Sequence, residues 1–268
     1  MLRKGTNVRG AALVSVLERA DSAPLPLLGG MARPDGVVIA SERFFAFAGH
    51  DGSLLEGEMP KVPRLVNRLP LLRGLARLSM SMSPLLRREG VAGRRERLLL
   101  TAVLLAPIAL VFLSGTATLI AGTFMTVVLL VWLLRGRTLY LHGAEHRAIA
   151  AAEHGELAAT WRGEAAPSRF SLRCGTNFVA LVLPVGILAD RLWPFATALW
   201  TPILLAILSL GLSMELWRAV QSSTRRAARI FLLPGLALQR LTTREPDLDE
   251  TRLALTALGS VVERELRV

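Results

Sequence analysis

The chain has 268 residues, 52% of them hydrophobic, and a formal net charge of +11; its mean hydropathy is +0.44. That is too apolar for an ordinary soluble domain, and apolar together with basic reads first as an integral membrane protein with basic loops on the cytoplasmic side. A nucleic-acid partner is not expected, because no basic patch is interleaved with aromatics: there is one Tyr, and the Trp residues mostly lie in or near apolar runs. A single Cys, Cys174, excludes an internal disulfide framework.

In chain order, residues 1–27 read as a basic, weakly structured tail. Its apolar run, Ala11 to Leu17, is followed at once by Glu18 and Arg19, so it is not read as a signal peptide. Residues 28–60 hold the only strand-like material. Val37 to Ala40 and Phe44 to Phe47 are short β-type runs bounded by Asp35-Gly36 and by Gly49-His50-Asp51-Gly52, which predicts a small sheet or hairpin. Residues 61–97 alternate basic and apolar groups at helical spacing, with Leu65, Leu69, Leu72 and Leu75 on one face. This predicts an amphipathic basic helix suited to a membrane interface, and the cluster Arg87, Arg88, Arg94, Arg95 and Arg97 closes it.

Two apolar hairpins are expected next. Residues 98–134 and 176–214 each contain a pair of uncharged runs, the first pair split at Ser114-Gly115 and the second at Asp190 to Pro194. The fold class predicted is therefore a mainly α, polytopic membrane protein with about four transmembrane helices and a small β-containing N-terminal region. Of the 32 Lys and Arg, 16 precede residue 98, 6 fall in 135–173, 9 follow residue 214 and only Arg191 lies in a hairpin turn. With four spans, the three large groups share one side. That predicts a multi-pass protein of the bacterial cytoplasmic membrane with both termini in the cytoplasm. Arg225, Arg226 and Arg229 are placed to meet anionic lipid head groups. Asp247, Asp249 and Glu250 open a final helix carrying Leu253, Leu255, Leu258 and Val262.

The chemistry-bearing segment is 135–175. His142 and His146 are four residues apart, one turn along the same face of a helix, with Glu145 beside them. His-x-x-Glu-His is the inverted zinc-hydrolase pattern, in which two imidazoles hold Zn²⁺ and the carboxylate takes a proton from water. The bland alternative is a helix with polar residues at a membrane surface. The predicted topology adds Cys174, before the third span, and Glu215, at the end of the fourth, to the same side. Glu215 is an acid at the edge of an uncharged run, where it needs a metal or a cation such as Arg218. The candidate metal ligands are thus His142, His146, Glu215 and Cys174, for Zn²⁺ or another divalent ion, with Glu145 as the catalytic base. A lone Cys entering an apolar helix is more often a small buried hydrophobe than a ligand, so Cys174 is the fourth candidate. His154 is the substitute ligand.

Several stretches carry a family resemblance: Tyr140-Leu-His-Gly-Ala-Glu-His-Arg147, Arg173-Cys-Gly-Thr-Asn-Phe178, Ser213-Met-Glu-Leu-Trp-Arg218 and the long run Pro234 to Pro246. With weaker matches at Gly29 to Arg33 and Leu69 to Gly74, the chain resembles the bacterial YqhQ family of multi-pass membrane proteins, described as predicted metal-dependent enzymes. The resemblance implies a membrane core and a shared polar site, and it supplies no reaction. The chain departs from the family pattern at Leu28, where members carry a Glu, and at Ser171, where they carry a His. Gln239 and Thr242 to Pro246 belong to the resemblance without an assigned role. They either end one element and cap the next, or dock against the histidine site.

Two functions follow as expectations. One is a membrane metal-dependent enzyme, most economically a hydrolase, acting on a substrate that the sequence does not name. The other is a non-enzymatic scaffold or assembly factor (before a small-solute carrier) in which His142, Glu145 and Glu215 form a structural network. The partners expected are the lipid bilayer, anionic head groups, and a second membrane protein or another copy of the chain.

Overall fold

The structure is a computed structural model, and it describes residues 3–4, 10–87, 90–110, 115–133, 136–196, 198–223 and 230–268. Their contacts divide the chain into two units. The first takes Met1–Lys61, Leu134–Cys174 and Leu238–Val268; the second takes Val62–Leu133 and Gly175–Ala237.

The first unit is α+β. Strands β1 (Arg3–Lys4), β2 (Gly29–Arg33), β3 (Gly36–Ala40), β4 (Phe44–Gly49) and β5 (Leu54–Glu58) form an antiparallel sheet in the order β1-β5-β4-β3-β2. The turns expected at Asp35-Gly36 and Asp51-Gly52 join successive strands, and the register pairs Val38 with Phe47 and Phe47 with Leu55. Helices α6 (Thr138–His154) and α11 (Leu248–Leu266) pack on this sheet and on each other. Their buried faces, including Leu141, Ala144, Ala148, Leu255, Leu258 and Val262, share one core with Val37, Ile39 and Ala46 of the sheet. The last helix begins where its acidic turn predicts, with a capping box: the Glu250 N–H donates to Asp247 Oδ1 at 2.7 Å, and the Asp247 N–H donates to Glu250 Oε2 at 3.0 Å.

The N-terminal reading needs correction. Residues Gly10–Asp21 are not a weakly structured tail but helix α1, which buries Leu13, Val16, Leu17 and Ala20, three of them (Leu13, Leu17 and Ala20) in the same core. Those positions have i, i+3, i+4, i+7 spacing, one helix face. Asp21 then accepts the N–H groups of Leu157 and Ala158, at 2.7 and 3.0 Å, and so starts α7 (Leu157–Arg162).

The second unit is helical: α2 (Arg64–Arg68), α3 (Leu72–Leu86), α4 (Arg94–Leu110), α5 (Gly115–Leu133), α8 (Gly175–Arg191) and α9 (Thr201–Ser222), with α10 (Leu233–Thr242) beginning in it. The single amphipathic helix expected over 61–97 is broken into separate pieces. Pro70 interrupts the ladder and Leu71 turns the chain with φ 66°. Arg88, together with Arg225, Arg226 and Arg229, lies outside the described residues.

The four-span expectation is overturned. Among the described residues one helix, Thr201–Ser222, is long and apolar enough to cross a membrane. The other runs are uncharged in sequence, but the helices that contain them are not clean spans. α4 opens with Arg94, Arg95, Glu96 and Arg97, and the residues after Leu110 lie outside the described ones. α8 has 17 residues, holds Pro184 and ends in Asp190 and Arg191. α5 is uncharged, but the residues on both sides of it lie outside the described ones. Without the two hairpins, the distribution of Lys and Arg fixes no orientation.

Candidate metal centre

The site lies wholly in the first unit and is built on α6. His142 and His146 occupy successive turns of that helix, with ring centroids 4.5 Å apart. Cys174 comes to them from the segment before α8. One nitrogen of each ring and the Cys174 sulfur all lie within 4.8 Å of one another. His142 Nε2 is 3.3 Å from Cys174 Sγ.

The outer nitrogens fix the chemistry of the inner ones. His142 Nδ1 is 2.9 Å from the Thr242 carbonyl, and His146 Nδ1 is 2.7 Å from the Arg169 carbonyl. A carbonyl oxygen only accepts, so both Nδ1 atoms carry the proton and both Nε2 atoms present a lone pair. His146 Nε2 is fully buried without a hydrogen-bond partner. Burial lowers the His142 pKa; burial and then the neighbouring His142 push His146 down to about 3. Both rings are therefore neutral at physiological pH. Two neutral imidazoles oriented by backbone acceptors, with a thiol facing them, are a donor set that fits a thiophilic metal of the zinc type, and the carbonyls are the outer partners that such a site uses. Among the described residues this is the group of three or more His, Cys, Asp and Glu that comes together closely enough for an ion.

A strap from the C-terminal segment holds these parts in place. Gln239 is fully buried; its Nε2 donates to the Ser171 carbonyl at 2.7 Å and its Oε1 accepts the Ser171 N–H at 2.8 Å. This two-point clamp fixes the loop that carries Arg169 and Cys174. Arg244 N–H donates to the Leu139 carbonyl, and the Arg244 carbonyl lies so close to Gly143 that a Cβ there would stand 2.1 Å from it. Glu245 receives Arg147 and, at 3.2 Å, Arg169. Of the two readings of Thr242 to Pro246, docking against the histidine helix is the one found, and the capping of α11 follows it in the chain.

The other sequence-derived candidates fall elsewhere. Glu145 is buried against the sheet, where a Cβ on Gly30 would stand 2.6 Å from its Cγ. No hydrogen bond or ion pair reaches its carboxyl group among the described residues, and burial pushes its pKa up to about 8. Glu215 belongs to the second unit. Both of its oxygens accept from the Arg73 guanidinium, at 2.7 and 2.5 Å, so Arg73 rather than Arg218 is its bonded partner. His154 is exposed at the end of α6. Ser171, where the resemblance has a His, takes part in the strap through its backbone, and Leu28 is a buried core residue. Sequence reasoning missed the Thr242 and Arg169 carbonyls, because a backbone acceptor has no residue signature. The signal that pointed toward them was the unexplained run Pro234 to Pro246.

The fold and site define a two-unit chain, one α+β unit holding a His₂Cys cluster and one apolar helical unit. The chain belongs to the family described as "Protein of unknown function (DUF1385)", which matches residues 97–264 and so includes every residue of the cluster. It is 29% identical over 135 residues to the uncharacterized protein YqhQ of Bacillus subtilis (strain 168), a match covering 48% of this chain and 42% of that protein. The chain thus spans less than half the length of that relative. No solved structure matches.

Proposed function

We propose that the protein is a membrane-associated metalloprotein whose metal, of the zinc type, is held by His142 Nε2, His146 Nε2 and Cys174 Sγ. The observation that carries this reading is the unpartnered, fully buried His146 Nε2 beside a second Nε2 lone pair and a thiol. A buried polar atom without a partner is costly, and a cation held by the three donors removes that cost at His146 Nε2. The thiolate favours zinc or another thiophilic ion over magnesium or calcium.

Three protein ligands leave a coordination position open, the pattern of a catalytic rather than a structural zinc site. When bound, such a metal supplies a Lewis acid that lowers the pKa of water, and hydrolysis is the simplest reaction it serves. The chain's own part is to orient. Thr242 and Arg169 hold the imidazoles by their Nδ1–H groups, and Gln239 holds the Cys174 loop. A second reading, a structural polar network in a non-enzymatic scaffold, is favoured by the same bonds to Thr242, Arg169 and Ser171, since these tie α6 to two other segments without any metal.

Membrane association rests on the second unit, whose helices present large apolar side chains outside. Val179, Leu183 and Ile187 line one exposed face of α8, and Ile120, Phe124, Val127 and Val131 one exposed face of α5. Inside, α9 buries Ser209, Gly211 and Ser213. Small residues between helices and large apolar ones outside are what lipid as a solvent requires. The expected site of action is the bacterial cytoplasmic membrane.

Metal analysis tests the proposal. Protein purified without chelator is expected to carry about one zinc-type ion per chain, lost in His142→Ala, His146→Ala and Cys174→Ala and kept in Glu215→Gln. Absence of metal from folded wild-type protein selects the scaffold reading.

A further inference from the structure

From Pro60 to Arg88 the chain has no Asp or Glu and no aromatic residue, but it has Lys61 and six arginines. In the second unit this stretch forms α2 and α3. α2 buries nothing. Leu65, Leu69 and Leu72 are exposed, at 71%, 44% and 48%, within eight residues of chain. Arg64, Arg68 and Arg77 are exposed as well, and no ion pair reaches them among the described residues. An exposed apolar group among unneutralised cations has two costs in water, and a surface that is both apolar and anionic removes both.

Packing places this surface at one level of the unit. Leu71 lies against Gly211 of α9, and Gly74 against Met214, where a Cβ on Gly74 would stand 2.9 Å from the Met214 Cβ. Arg73 bonds Glu215, the residue that ends the uncharged run of α9. The start of α3, and α2 before it, are thereby fixed beside the point where α9 changes from apolar to charged. In a bilayer that point is the head-group layer.

We propose that α2 and the start of α3 form a docking surface for anionic phospholipid, with Arg64, Arg68 and Arg77 meeting phosphate head groups and Leu65, Leu69 and Leu72 entering the acyl boundary. RNA is the weaker occupant: exposed leucines and a lack of aromatic residues give bases nothing to stack on. The proposal is independent of the metal.

Hydrogen exchange on the full chain in nanodiscs tests it, with phosphatidylcholine alone compared with phosphatidylcholine mixed with phosphatidylglycerol. Amides of Arg64–Leu72 are expected to exchange about tenfold more slowly in the mixed discs, because anionic head groups hold the basic segment at the surface. High salt and the triple variant R64Q/R68Q/R77Q are both expected to abolish the difference. Replacing Leu65, Leu69 and Leu72 by Ser is expected to speed exchange in both discs. Equal exchange of the wild-type segment in the two compositions overturns the proposal, as does slowing by added RNA in the absence of any lipid difference. The wild-type comparison needs no variant to fold.

Discussion

The two units of this chain use apolar residues in opposite ways. In the first, Leu17, Ile39, Leu141, Leu255 and Leu258 are buried in one core, and His142, His146 and Cys174 come together beside it. In the second, Leu183 and Phe124 are each 70% exposed while Ser213 is fully buried. The first unit keeps its large apolar side chains inside, and the second presents many of them outside. The difference teaches that hydropathy summed over a chain does not say where the apolar surface goes.

The largest expected effect is at the strap. Gly143→Ala places a Cβ against the Arg244 backbone carbonyl, which cannot move without displacing the Leu139 hydrogen bond. Melting of the detergent-purified protein is expected to show loss of the first unit, with a cost of about 3 kcal/mol or more. Close behind is a direct contrast between the units. Leu258→Ala in the first core is expected to cost about 2–5 kcal/mol, whereas Leu183→Ala on the exposed face of α8 leaves detergent stability nearly unchanged. A similar loss in both would break the comparison.

Glu145 gives a pH-dependent test in metal-free protein. Its carboxyl group titrates ordinarily near 4.5 and in the folded chain near 8. Between those values the unfolded chain releases a proton that the folded chain keeps. Stability is therefore full below about 4.5 and declines as pH rises toward 8, by on the order of 4 kcal/mol. Glu145→Gln is expected to flatten that part of the profile; an unchanged slope would mean that the carboxyl group reaches water. The smallest effect concerns Glu215. Glu215→Gln removes the ion pair with Arg73 and is expected to lower the melting temperature of the second unit modestly, with metal content unchanged.

Much of the first unit was legible. Alternating β-type runs and turn dipeptides marked the strands, Asp247 and Glu250 marked a helix start, and the i, i+4 spacing of His142 and His146 marked a shared face. What failed did so for local reasons. The run Ala11 to Leu17 was judged by its composition, although Leu13, Val16, Leu17 and Ala20 had the period of a buried helix. The apolar runs were counted as spans without the charged turn Arg94–Arg97 or the Pro184 and Asp190–Arg191 that share their helices. Glu215 was assigned toward the histidines because its partner, Arg73, lies 142 residues away in sequence. That Cys174 meets the two histidines, and that Glu215 is bonded to Arg73, comes from three dimensions alone.

X-ray absorption at the zinc edge of protein loaded with one equivalent of zinc tests the central claim most directly. The account predicts two nitrogen neighbours at about 2.0–2.1 Å and one sulfur at about 2.3 Å, with the sulfur lost in Cys174→Ser. A shell of nitrogen and oxygen alone, or zinc that washes away from wild-type protein, would contradict it.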